Sequence, residues 1–325
     1  MRPFIMQRFI QSFFVVALFL LLLAACAPQA TEPESSGAVQ PDSGPVAESG
    51  FPVTLTDASG VEHRLEEPPQ RLVSLAPSIT ENVFALKAGD RLVGVTDWDN
   101  YPEEVANIER IGGLEPNIEK ILSLEPDLVL AQASVNDNAV QPLRDVGLSV
   151  LVLPEAQSFD GTYAVLRMLG QALGAQEQAE EVIQQMEAKK ADIVAKVADI
   201  PETEKVRVWV EVSPDLYTAG SGTFIDDLIR LAGGINVAAE VEGWAQLSEE
   251  QVIAAQPDVI ITTYGYYTEE PPAKMIASRK SWADIPAVRD GRIYDVDSDI
   301  ISRPGPRLAE GLLQVAASLY PDRFQ

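Results

Sequence analysis

From Phe51 onward, short continuous apolar runs alternate with stretches whose apolar positions recur at helical spacing. The strand-type segments are Arg71–Ala76, Arg91–Thr96, Asp127–Ala131 and Ser149–Leu153; the helix-type ones are Ser78–Leu86, Asn117–Leu124 and Asn136–Val146. Runs that are apolar on both faces suit a parallel sheet covered by helices on each side, so this rhythm predicts an α/β layer structure. Ahead of it, Val53–Thr56 and Val61–Leu65 flank Asp57-Ala-Ser-Gly60 and predict a β-hairpin. Ser78 followed three residues later by Glu81 reads as a capping box at a helix start.

The pattern occurs twice. Asn117-Ile-Glu-Lys-Ile-Leu-Ser-Leu-Glu-Pro-Asp-Leu-Val-Leu130 and Ser248-Glu-Glu-Gln-Val-Ile-Ala-Ala-Gln-Pro-Asp-Val-Ile-Ile261 each give an N-cap, a short amphipathic helix, a Pro-Asp turn and an apolar strand. Glu119 and Glu250 fall at the same helical position of the two copies. Arg71-Leu-Val-Ser-Leu-Ala-Pro-Ser78 is matched in order by the β-rich run from Val206 to Ser213-Pro214, followed by a helix from Thr223 to Leu231 that stops at Gly233-Gly234. Two similar α/β lobes follow, with a cleft between them. Phe159 to Ile200 is helical throughout, broken at Gly170 and Gly174. Its last stretch, from Gln176, puts Ala179, Val182, Met186, Ile193 and Val197 on one face before Pro201 ends it. About 24 residues at 1.5 Å each span some 36 Å, enough to cross both lobes and join them stiffly. Alternation then resumes and ends in a helix from Arg307 to Leu319.

The first 25 residues carry Arg2 and Arg8, an apolar stretch from Phe9 to Leu23, then Leu23-Ala-Ala-Cys26. The stretch is short for a membrane span and its small residues point to cleavage. Leu-Ala-Ala-Cys resembles the bacterial lipobox, which implies lipidation of Cys26, the chain's one cysteine. The following Pro-, Ser-, Gly- and Ala-rich acidic stretch lacks Lys and Arg and reads as a disordered tether. The expected divisions are a signal peptide at 1–25, a lipidated tether at 26–50, a first lobe at 51–158, connecting helices at 159–200 and a second lobe at 201–325. The chain has 24 Lys+Arg against 49 Asp+Glu, a formal net charge of −25. Such a balance excludes a basic surface for nucleic acid or anionic lipid. A single cysteine excludes internal disulfides and thiolate metal clusters.

Catalytic chemistry finds little support. The single histidine, His63, lies in the hairpin and reads as a solvated strand residue; no nucleophile elbow, zinc-protease motif or P-loop is present. Gly220-Ser-Gly-Thr lacks a phosphate-binding lysine and reads as a turn opening a helix. Trp98, Tyr217 and Trp244 read as lying in loops after strands or before helices, whereas Trp209 sits within an apolar run and reads as core.

The chain resembles the bacterial solute-binding proteins that deliver ferric siderophores, haem and cobalamin to ABC importers. The resemblance is carried by Arg71-Leu-Val-Ser-Leu-Ala-Pro-Ser-Ile-Thr-Glu81, Leu92-Val-Gly-Val-Thr-Asp97, Tyr101-Pro102, Ile111-Gly-Gly113, both Pro-Asp motifs and Ser302-Arg-Pro-Gly-Pro-Arg307. It implies two Rossmann-like lobes with parallel sheets joined by one long rigid helix, a ligand cleft between them, and no enzymatic turnover. It also implies a monomer held at the extracytoplasmic membrane face by its lipid anchor, with a permease dimer and its ATPase as partners. Relative to cobalamin binders, Trp98, Tyr217 and Trp244 align with cleft aromatics, and Asp299 and Arg303 with an Asp/Arg pair. Glu119 and Glu250 align with glutamates that dock onto permease arginines. One cleft tryptophan of those proteins is missing, since its segment reads Gly112-Gly113-Leu114-Glu115 here. Tyr264, Tyr266 and Tyr267 follow the second repeated strand instead, and Arg303 and Arg307 offer positive charge. The implied ligand is a metal chelate, a ferric siderophore or cobalamin, with haem the alternative; no resident cofactor or metal is expected.

Overall fold

The computed structural model describes residues 50–324. The expected signal peptide, Cys26 and nearly all of the tether lie outside the described residues.

Strands β1 (Val53–Thr56) and β2 (Glu62–Leu65) form the antiparallel hairpin. The first lobe then runs β3 (Leu72–Ser74), α1 (Pro77–Ala85), β4 (Leu92–Val95), β5 (Glu109–Arg110), α2 (Ile118–Ser123), β6 (Leu128–Gln132), α3 (Asp137–Asp145) and β7 (Val150–Leu153). Its five strands are parallel in the order β5-β4-β3-β6-β7. Helices α4 (Phe159–Leu173) and α5 (Gln176–Val197) follow. The second lobe contains β8 (Arg207–Glu211), β9 (Tyr217–Ala219), α6 (Phe224–Leu231), β10 (Ile235–Asn236), β11 (Trp244–Gln246), α7 (Glu249–Ala255) and β12 (Val259–Thr262). It closes with α8 (Pro272–Ala277), α9 (Pro286–Arg289), β13 (Ile293–Asp295), α10 (Ser298–Ser302) and α11 (Leu308–Leu319). Strands β10-β8-β12-β13 are parallel, and β9 pairs with β11 antiparallel in a separate ribbon.

The order β4-β3-β6-β7 is the same winding as β10-β8-β12-β13, so the repeated sequence folds into repeated topology. The repeat extends to single bonds. Asp127 Oδ2 accepts from the main-chain N–H groups of Gln70 and Arg71, and Asp258 Oδ2 from that of Arg207. The side chain of Arg71 donates to the carbonyl of Leu124, and that of Arg207 to the carbonyl of Ala255. In both copies the residue before the Pro-Asp turn takes a left-handed conformation, Glu125 at φ 45° and Gln256 at φ 46°.

Alternate residues of each strand serve different layers. Leu128 and Leu130 join Val208, Val210, Val259 and Ile261 in one apolar core that also takes in α4, α5 and α11. Val129 and Ala131 face a second cluster with Ile121 and Leu143, while Trp209 and Ile260 face a third with Trp282. The central core is continuous between the lobes. Helix α5 has 22 residues, about 33 Å, and packs on α1 of the first lobe and α11 of the second.

Local details correct the reading of the pattern. Gly170 does not break α4; it lets α5 approach, since a Cβ there would lie 2.8 Å from the Cβ of Ala179. Gly174, at φ 69°, is the left-handed cap. Ser78 and Glu81 form no capping box: Pro77 fills the first helical position, so Ser78 lies inside α1 and its hydroxyl donates to Gln132. His63 is not solvated but buried, its Nε2 3.0 Å from Asp57 Oδ2.

Candidate functional site

In both sheets the strands end at the same edge, and helices and loops leaving those ends build the space between the lobes. Open parallel sheets bind ligands outside their carboxyl ends, where the winding reverses. In the first lobe that point lies between β3 and β6, at the start of α1; in the second it lies between β8 and β12.

The loop after β4 carries Trp98, Asn100 and Tyr101. It is held from below, because buried Asp99 accepts from the amide and hydroxyl of Thr96, and Arg110 donates to the carbonyls of Thr96 and Asp99. Burial raises the Asp99 carboxyl above its ordinary range, although hydrogen bonds from Thr80 and Thr96 oppose this. The Trp98 ring is 62% exposed and lies against Gly113, where a Cβ would come within 3.0 Å of Nε1. The glycine that stands in the segment lacking the cleft tryptophan is thus the seat for Trp98.

Opposite this loop stand α10 and the start of α11. Arg303 Nη1 donates to Glu81 Oε1 at 3.0 Å and to Asn100 Oδ1 at 2.7 Å, and its Nη2 reaches the carbonyl of Trp98 at 3.2 Å. Asp299, one helical turn before Arg303, pairs with it at 2.9 Å and accepts from Asn100 Nδ2 at 2.7 Å. Arg307 grips Glu81 with two further bonds, at 2.8 and 2.7 Å, under the face of Tyr101 at 4.1 Å from the ring centroid. Burial works against the Arg307 charge, but Glu81 outweighs it and the guanidinium is held above its ordinary pKa. Glu81 is only 3% exposed. A buried carboxylate of one lobe thereby holds two arginines of the other, an arrangement that is stable only with all partners in place.

A separate pocket of 140 Å³ also spans the lobes, with Glu155 and Gln157 on one side and Ser221, Phe224, Glu242 and Trp244 on the other. Trp244 meets Phe224 edge-on, 5.8 Å between centroids. Trp244 and Tyr217 share the β9–β11 ribbon, and both are part-exposed. The ribbon turns into α6 at Gly220, where a Cβ would fall 2.0 Å from the carbonyl of Val241; Thr223 then caps α6.

Of the residues singled out in the sequence, the structure brings together Trp98, Asp299 and Arg303, and puts Trp244 and Tyr217 on one ribbon. Tyr264 is a correction. It is fully buried, its phenol donates to Glu211 at 2.7 Å, and burial together with that carboxylate pushes its pKa up. Glu211 also receives Arg279 in two bonds and Trp209 Nε1, so Tyr264 completes a core network and faces no cleft. Tyr266 and Tyr267 form an exposed T-shaped pair, 4.9 Å between centroids. Arg307 does stand at the start of α11, but its side chain goes to Glu81. Glu119 and Glu250 are exposed in the first turns of α2 and α7, behind the N-caps Asn117 and Ser248. The Glu250 carboxyl is held below its ordinary range by its own main-chain N–H and by Ser248. Glu81, Asn100 and Tyr101 were missed as cleft residues. Two arginines four positions apart in Ser302-Arg-Pro-Gly-Pro-Arg307 were the readable sign that carboxylate partners were needed.

A mixed wall of aromatic and charged groups between two stiffly joined α/β lobes is suited to holding a ligand. Residues 72–300 match the model of the periplasmic binding protein family, and the chain belongs to that family. It is 39% identical over 313 residues to the ABC transporter substrate-binding lipoprotein YvrC of Bacillus subtilis, covering 95% of this chain and 96% of that one. It is 31% identical to a cobalamin-binding protein of Halobacterium salinarum, covering 92% and 84%. The solved structure of the periplasmic haem-binding protein RhuT from Roseiflexus sp. RS-1 superposes with a TM-score of 0.70 at 31% identity, over 79% of this chain and 99% of that one.

Proposed function

We propose that this chain is the extracytoplasmic receptor of an ABC importer, anchored through lipidated Cys26, that captures a metal chelate between its lobes and passes it on unchanged. The observation that carries the reading is the space between the lobes, where Trp98, Asp299 and Arg303 meet from opposite lobes and where a separate pocket is walled by Trp244. Aromatic faces suit the broad apolar body of a chelate, and the charged and amide groups fix its orientation. In this reading Trp98, Tyr217, Trp244, Tyr266, Asp299 and Arg303 face the ligand, and Glu119 and Glu250 dock to a permease dimer. Turnover is not part of it, since the sole histidine is committed to Asp57 in the hairpin. The similarity to a cobalamin-binding relative and to a haem-binding structure supports a chelate as cargo, and haem is the second reading.

The test is an absorption spectrum of the purified chain after incubation with cyanocobalamin, haem and ferric siderophores, followed by titration of tryptophan fluorescence. A retained chelate band with saturable quenching is expected. Failure to retain any of the chelates would sink the proposal.

A further inference from the structure

We infer that Glu81 is a specificity-determining residue of the cleft: it occupies the two arginines that would otherwise receive an anionic ligand, so the site takes an uncharged or cationic, amide-bearing chelate. The inference rests on the receptor reading above and narrows its cargo.

An arginine fork binds one carboxylate well, and here both arginines already hold carboxylates of the protein. Arg307 spends Nε and Nη2 on Glu81, while Arg303 divides Nη1 between Glu81 and Asn100 and turns Nη2 to Asp299. Two positive charges are thus cancelled by two carboxylates inside the protein before any ligand arrives. A ligand carboxylate or catecholate would have to displace Glu81, whose side chain is only 2% exposed. That would leave a buried carboxylate unpaired, which is strongly unfavourable. The separate pocket that spans the lobes carries Glu155 and Glu242, with no Lys or Arg among its described lining residues. Repulsion of this kind is how a site rejects one charge class while accepting another. What the space between the lobes does offer is hydrogen-bond acceptors, in Glu155 and Glu242, with the side-chain amide of Gln157 in the same pocket. Such a set pairs with the N–H donors of ligand amides.

Tryptophan-fluorescence titrations with cyanocobalamin as the amide-bearing probe, and with haem and a ferric tris-catecholate as anionic probes, test this. The wild-type chain should bind both anions at least ~100-fold more weakly than cyanocobalamin, and Glu81→Gln should raise the anion-to-cobalamin affinity ratio by at least ~10-fold. Asp299→Asn, which also leaves a positive charge uncancelled and lies on a more open helix, should move the ratio the same way should Glu81→Gln fold poorly. A wild-type preference for either anion overturns the inference while the receptor reading stands, as does a ratio that neither substitution raises. Binding of no probe of either charge overturns both.

Discussion

Asp57 accepts hydrogen bonds from the amide and hydroxyl of Ser59, the amides of Val61 and Val152, His63 and Arg144, and its side chain is fully buried. Burial pushes its pKa up, but bonds from Ser59, His63, Val61 and Val152 outweigh this and hold it well below the carboxylate range. A depressed folded-state pKa means stability that is present above the unfolded value of about 3.9 and lost as pH falls toward the folded one. Asp57→Ala, which strands His63 and Arg144, should cost about 3 kcal/mol near neutrality. In urea titrations the gap to wild type should narrow steadily below pH ~4; a gap independent of pH would show that the charge of Asp57 contributes nothing. At the cleft, Trp98→Ala and Trp244→Ala should each weaken chelate binding by roughly 1–3 kcal/mol, about 5- to 150-fold. Wild-type affinity in both variants would place the ligand elsewhere.

Each lobe is pinned where its repeated helix turns into its repeated strand. The aspartates of the Pro-Asp turns accept main-chain N–H groups from the start of the neighbouring strand, β3 or β8, and arginine side chains close the same joint on the helix carbonyls. These bonds fix the register of the central parallel pair in each sheet, Leu72 opposite Leu128 and Val208 opposite Val259. Asp127→Ala and Asp258→Ala should therefore destabilise by similar amounts, about 1 kcal/mol each for solvent-accessible joints of this type. Because the two sites share no partners, their double variant should lose about the sum. Thermal unfolding of the three variants checks this. A large loss at one site and none at the other would mean that the repeat is topological only.

At the scale of the whole molecule, the continuous core and α5 tie the lobes into one body, which sets Glu119 and Glu250 at equivalent, exposed points of the two halves. A receptor with one carboxylate per lobe fits a two-fold symmetric transporter with basic pockets. Each glutamate also lies near a helix N-terminus, where a negative charge is favoured in any protein. The two roles separate experimentally. The pair of substitutions Glu119→Ala and Glu250→Ala should abolish or slow transport in cells while chelate affinity and thermal midpoint stay at wild-type values. Transport that survives the double substitution, or falls only in step with chelate binding, would remove the docking role.

Periodicity and punctuation determined most of the architecture from the sequence alone. Apolar runs marked the strands β3, β4, β6, β7, β8 and β12, Asn117 and Ser248 marked helix starts, and the Pro-Asp motifs revealed the duplication, because each signal lies within a few residues. Edge strand β5 and the β9–β11 ribbon carried too few apolar positions to be read. Partnership was decided only by the tertiary structure. Glu81 had a plausible local partner in Ser78, yet it binds arginines 222 and 226 positions away, a separation that leaves no local trace. Tyr264 sat among polar aromatics suited to a cleft, but Glu211, a carboxylate inside the apolar run of β8, draws its phenol into the core. Sequence pattern reports which face of an element is buried; which buried charge meets which is settled by how the two lobes pack.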